Sequence, residues 1–99
     1  MKKTIYERAV EKWGIASQLD MVVEECAELI KAVIKAKRHI NGNSPLEVAE
    51  EIADVEVMIK QLECIFEGSI AGSPFYRDYI EHRKKEKLKR IENILKNDG

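Results

Sequence analysis

The stretch Ser44-Pro45-Leu46-Glu47-Val48-Ala49-Glu50-Glu51-Ile52-Ala53-Asp54-Val55 decides the fold. Ser44 suits a helix N-cap, and Pro45 suits the first helical position, where its missing N–H costs nothing. Glu47 can reach back to complete a capping box. Beyond this start, Val48, Ile52, Val55, Ile59, Leu62 and Phe66 recur at helical spacing and form one apolar arc, widened by Met58 and Ile65. A helix to about residue 67 is predicted. Two acids break its pattern. Glu51 falls inside the arc and Asp54 lies at its edge.

The segment before it is also helical in period. From about Gln18 to His39, the residues Leu19, Val22, Cys26, Leu29, Ile30, Val33 and Ile34 form the main stripe, bordered by Glu25. Glu28 lies further round, flanked by Met21 and Ala32. Asn41-Gly42-Asn43 supplies residues that tolerate positive φ and is expected to end this helix. Towards the N-terminus, residues 4–17 predict a first helix with Ile5, Ala9, Val10 and Trp13 on one side. Thr4 is its N-cap, Glu7 its capping-box partner, Gly14 a weak point near its end, and Ser17 a cap for the next helix. Towards the C-terminus, 68–72 is a loop and Ser73-Pro74 repeats the cap-plus-proline start. A fourth helix is expected from Pro74 to about Lys96.

No strand signal or repeat is present, so the fold class is all-α. The expected architecture is a four-helix antiparallel bundle formed by a single domain spanning 1–99. Apolar stripes this wide on so short a chain predict a homo-oligomer that shares its core. The composition agrees: 44% of the 99 residues are hydrophobic, which excludes general disorder, and 35% are charged, which suits amphipathic helices. The net charge of −1 gives no global field favouring nucleic acid or an anionic membrane. No apolar run approaches a membrane span and nothing marks export, so a cytoplasmic protein is expected. Cys26 and Cys64 show neither a C-x-x-C spacing nor a zinc-ligand His. Cys26 fits a small core residue, whereas Cys64 lies off the stripe and can face a partner or solvent.

The acids carry the chemistry. Residues three apart on a helix project from the same side. Glu25 with Glu28, and Glu51 with Asp54, therefore make two carboxylate pairs on adjacent helices. Converging, they offer an all-oxygen cage for a hard cation such as Mg²⁺ or Mn²⁺. The plainer alternative is a solvated acidic surface. Against it, nothing basic lies within a helical turn of Glu51 or Asp54, while Lys31 and Lys35 pair most naturally with Glu24 and Glu28.

Glu24-Glu25-Cys26-Ala27-Glu28-Leu29 followed by Glu51-Ile52-Ala53-Asp54-Val55 resembles the E-E-x-x-E and E-x-x-D signature of MazG-like nucleotide pyrophosphohydrolases. These belong to the all-α NTP pyrophosphatase superfamily. Trp13-Gly14 with Gln18 and Met21 adds to the likeness, which covers roughly residues 6–62. The resemblance implies Mg²⁺-dependent cleavage of a nucleoside triphosphate between its α- and β-phosphates, in a homodimer or homotetramer. It also implies Glu25, Glu28, Glu51 and Asp54 as metal ligands, with Glu24 as an extra acid that holds a second ion or orients water. On the fourth helix, Ile80, Leu88, Ile91 and Leu95 form a stripe into which Lys84 falls, with Lys87 beside it. These lysines either snorkel over the core or reach the phosphates. Trp13 is either a core or interface anchor or a platform for a nucleobase. The competing class of function is a non-catalytic helical interaction module, whose stripes bind a partner helix.

Overall fold

The computed structural model describes residues 2–39, 42, 44–67 and 76–98. They form four helices: α1 (Ile5–Trp13), α2 (Ile15–Arg38), α3 (Ser44–Phe66) and α4 (Tyr76–Asp98). Among the described residues there is no strand, and the all-α expectation holds. The chain groups into two compact units, Met1–Ile65 and Phe66–Gly99.

In the first unit, α1 starts on the predicted capping box. Glu7 N–H donates to Thr4 Oγ1 at 3.1 Å, and Thr4 N–H donates to Glu7 Oε1 at 3.0 Å. The Thr4 backbone N–H first, and then the Thr4 side chain, hydrogen-bond the Glu7 carboxylate and hold its carboxyl below the usual range. The helix ends differently from the prediction. Gly14 takes φ 87° and ψ 157°, donates its N–H to Val10 O and accepts from Gln18 N–H. It therefore closes α1 and opens α2 in one residue. Ser17 lies inside α2 and caps nothing, because α2 begins at Ile15.

α2 ends at Arg38, where His39 N–H returns to Lys35 O at 3.1 Å. The turn beyond it does not use positive φ at Gly42; Gly42 N–H instead donates to His39 O at 3.3 Å. Asn41 and Asn43 lie outside the described residues, as do the predicted loop 68–72 and the Ser73-Pro74 start. Within α3, Ser44 is already helical. Glu47 does not reach back to it: both carboxylate oxygens face Lys35 of α2, at 3.0 and 3.3 Å.

α2 and α3 run antiparallel. Gln18 meets Gln61 near one end of the seam, Glu25 meets Glu51 and Asp54 in the middle, and Lys35 meets Glu47 at the other end. The packing line on α3 is Ser44, Val48, Glu51, Val55, Met58, Gln61 and Ile65, a near-heptad seam narrower than the predicted arc. Among the described residues, Val55 and Val22 are the buried hydrophobics, at 9% and 8% exposure. Ile52, Ile59 and Phe66 on α3, and Ile30, Val33 and Ile34 on α2, are exposed. The sequence arcs were wider than one neighbouring helix can cover, so each arc is half used. Cys26 and Cys64 are both half-buried.

The second unit contains α4. Its exposed face carries ion pairs one turn apart, among them Arg77–Glu81, Arg83–Glu86 at 3.2 Å and Lys96–Glu92 at 3.5 Å. Leu88, Ile91 and Leu95 of the predicted stripe are exposed, and Ile80 is half-buried. No helix among the described residues is long and apolar enough to cross a membrane.

Candidate functional site

Glu25, on the side of α2 that faces α3, and Glu51 and Asp54, one turn apart on α3, each offer a carboxylate oxygen, and these atoms lie within 4.8 Å of one another. Glu25 and Glu51 are half-buried while Asp54 is exposed. The antiparallel register produces this meeting, because neither helix alone holds more than two of the three groups. Close carboxylates resist ionising together. Glu51 bears the consequence: loss of solvent, then Asp54, Glu28, Glu25 and Glu50 in turn, raise its carboxyl above the usual glutamate range.

The donor set fits a hard divalent cation. Oxygens about 2.1 Å from Mg²⁺ stand ~3.0 Å apart when adjacent and ~4.2 Å apart when opposite. A 4.8 Å span comes within small side-chain rotations of that geometry. Mg²⁺ keeps several waters and seldom uses a full protein cage, so three carboxylates suffice.

Glu28 is not one of the three. It is exposed and stands 3.9 Å from Lys31, yet it is close enough to contribute to the Glu51 shift. It shares with Glu51 a cleft of about 390 Å³ whose walls also carry Lys31, Lys35, Glu47 and Glu50. Cations missing from the helical turns around Glu51 are thus supplied across the seam. Lys35 in particular pairs with Glu47 of α3, where sequence neighbours alone suggested Glu24 or Glu28. Glu24 is exposed and stands apart from the carboxylate trio.

Trp13 ends α1, 58% exposed, with Lys12 Nζ 5.8 Å from its ring centroid. An isolated Trp in this position is an open apolar plate, not a core anchor of its own chain. Lys84 and Lys87 belong to α4 in the second unit. They line a groove of about 590 Å³ with Tyr76, Tyr79, Ile80, Arg83 and Leu88. Lys84 also approaches Glu81 at 3.5 Å. His39 and His82 are exposed, and His82 faces Glu86 at 3.4 Å.

A buried amide layer, not foreseen from the sequence, links α1, α2 and α3. Gln61 Nε2 donates to Gln18 Oε1 at 2.7 Å and to Tyr6 O of α1 at 3.1 Å, while Gln61 Oε1 is buried without a donor. Each glutamine stands seven residues from an acid of the trio, Gln18 before Glu25 and Gln61 after Asp54. That spacing was the available signal. Comparison with family models, characterised proteins and solved structures returned no match to this chain.

Proposed function

We propose that the chain is a Mg²⁺-dependent nucleoside triphosphate pyrophosphohydrolase of the MazG-like type, with Mn²⁺ as a workable substitute. The observation that carries the proposal is the convergence of Glu25, Glu51 and Asp54 within 4.8 Å across two helices. The resemblance of the two acidic motifs supplies the reaction. Water adds to phosphorus at the α–β anhydride, and the products are a nucleoside monophosphate and pyrophosphate.

Triphosphate and carboxylates repel each other, so the acids need a cation between them. When bound, Mg²⁺ offsets phosphate charge and makes a nearby water more acidic. Glu25, Glu51 and Asp54 hold it, and Glu28 adds negative charge at the cleft wall. Glu24 orients the attacking water or a second ion. Trp13 stacks on the base, and Lys84 and Lys87 are the phosphate-binding candidates that the sequence offers. The exposed apolar rows of α2 and α3 are covered by a second copy in a homodimer or homotetramer, which completes an antiparallel four-helix bundle in the cytoplasm.

The second reading, a helical interaction module without catalysis, is favoured by those same exposed rows, Ile52, Ile59 and Phe66 among them. A panel of nucleoside triphosphates scored for pyrophosphate release, with Mg²⁺ and with chelator, separates the two. The enzyme releases pyrophosphate only with metal. Absence of release from every nucleotide, together with a melting temperature that ignores Mg²⁺, would leave the interaction module.

A further inference from the structure

We propose that Gln18 and Gln61 are a positioning pair that fixes the axial register of α2 against α3, and that this register makes Glu25, Glu51 and Asp54 converge. The consequence for the acids rests on the metal-site reading above; the register itself does not.

Three observations carry the proposal. The two amides are among the most buried side chains of the first unit, at 6% and 2% exposure. They sit in a seam whose buried hydrophobics among the described residues, Val22 and Val55, are less deeply buried, at 8% and 9%. Their bond also comes at a cost to stability. Gln61 spends both N–H donors, on Gln18 Oε1 and Tyr6 O, and leaves its own Oε1 buried with no donor. Two leucines would carry no such penalty. A polar pair retained at that cost selects one alignment among several, as a buried Asn does in coiled coils.

The apolar part of the seam discriminates poorly, and the Lys35–Glu47 pair at its end is too exposed to add much. Sliding α3 along α2 by one turn exchanges one apolar neighbour for another along Leu19, Val22, Leu29, Val55, Met58 and Leu62. The same slide leaves both amides without partners. One turn is about 5.4 Å, more than the 4.8 Å that contains the carboxylate trio. Seven residues from the acids, about 10 Å along the axis, the glutamines cannot touch a bound ion. They act only through where they hold the helices.

The test replaces the layer by an apolar one, Gln18→Leu with Gln61→Leu, and reads register and metal binding separately. Register is read as the distance between spin labels at exposed Lys37 and Lys60, which stand towards opposite ends of the seam so that their separation runs mostly along the helix axis, in a Cys26→Ala, Cys64→Ala background diluted with unlabelled chain. Metal binding is read as Mn²⁺ affinity by electron paramagnetic resonance on chains with native cysteines. The expected result is an equal or higher melting temperature, a second distance population displaced by about 5 Å (one helical turn), and Mn²⁺ affinity weakened at least tenfold. Gln61→Leu alone strands Gln18 and should lower the melting temperature as well. A single unshifted distance in the double variant overturns the proposal, and so does a shifted distance with unchanged Mn²⁺ affinity. If the parent chain binds no Mn²⁺ while the double variant still slips, the register assignment stands and the metal-site reading falls.

Discussion

Lys35 of α2 and Glu47 of α3 face each other at 3.0 Å across the end of the seam next to the interhelical turn. Both side chains remain about half exposed, 57% and 42%, so water screens the attraction. Lys35→Met should lower stability by less than about 1 kcal/mol. That difference should shrink towards zero near 1 M NaCl, where the screening length is about 3 Å. Urea melts of both chains at low and high salt check it; a salt-independent loss would mean that the lysine stem, and not its charge, does the packing.

The Glu51 carboxyl gives a pH signature of opposite sign to ordinary acid unfolding. Its value is raised in the folded chain, first by lost solvent and then by its acidic neighbours. The folded state therefore holds a proton that the unfolded state has already released. Stability of the metal-free protein should fall as pH rises from the usual glutamate range through the raised value, and then level off. Glu51→Gln should remove that slope, and Mg²⁺ should flatten it by stabilising the ionised form. Thermal melts across pH 4 to 8, with and without Mg²⁺, measure all three; a metal-free slope unchanged in Glu51→Gln would assign it to another group.

Asp54 and Glu28 divide the acids by geometry. Asp54→Ala removes one of the three converging oxygens and should abolish turnover, while metal-free stability holds or rises because a repelling charge has gone. Glu28, exposed and near Lys31, contributes charge from the cleft wall. Glu28→Gln should raise the Mg²⁺ concentration needed for activity and leave the fold intact. Wild-type metal response in Glu28→Gln would reduce this residue to a surface ion pair. Full activity in Asp54→Ala would remove α3 from the site.

Lys84 and Lys87 test whether α4 takes part in chemistry. Met keeps the apolar stem and deletes the charge. If these lysines meet the phosphates, Lys84→Met and Lys87→Met should each reduce kcat/KM by about tenfold or more, roughly 1.4 kcal/mol of lost transition-state stabilisation. Melting temperature should barely move. Unaltered kinetics in both variants would leave the α4 groove as an apolar face with snorkelling lysines.

Much of the fold was legible because its signals are local. Thr4 and Glu7 announce their capping box three residues apart, and the helical periods of α2 and α3 survive in the structure. What failed depended on neighbours. Ser17 has the chemistry of a cap, but Gly14 stops α1 three residues earlier and starts α2 at once. Glu47 has the right spacing to Ser44, but a lysine on another helix competes for it. The apolar arcs were legible as apolar, whereas the side used against α2 was not: a wheel ranks residues by angle, and packing is decided by where the second helix crosses. Glu51 and Asp54 were legible as misplaced acids. Their meeting with Glu25 needed the antiparallel register, which the Gln18–Gln61 bond exposes and which no spacing within a single helix contains.

Gly14 makes handedness a property of the joint between α1 and α2. At φ 87° and ψ 157° it sits in a region that L-residues with a side chain rarely enter, although nothing stands within 4 Å of where a Cβ would be. Space is therefore plentiful and chirality is the obstacle. L-alanine there should cost about 1–3 kcal/mol in backbone strain. D-alanine, for which positive φ is the natural side of the map, should be accepted without that loss when installed by chemical ligation. A mirror-image residue would then outperform its natural counterpart at one position of this chain, where the helix carrying Trp13 and the Tyr6 carbonyl turns into the helix carrying Glu25.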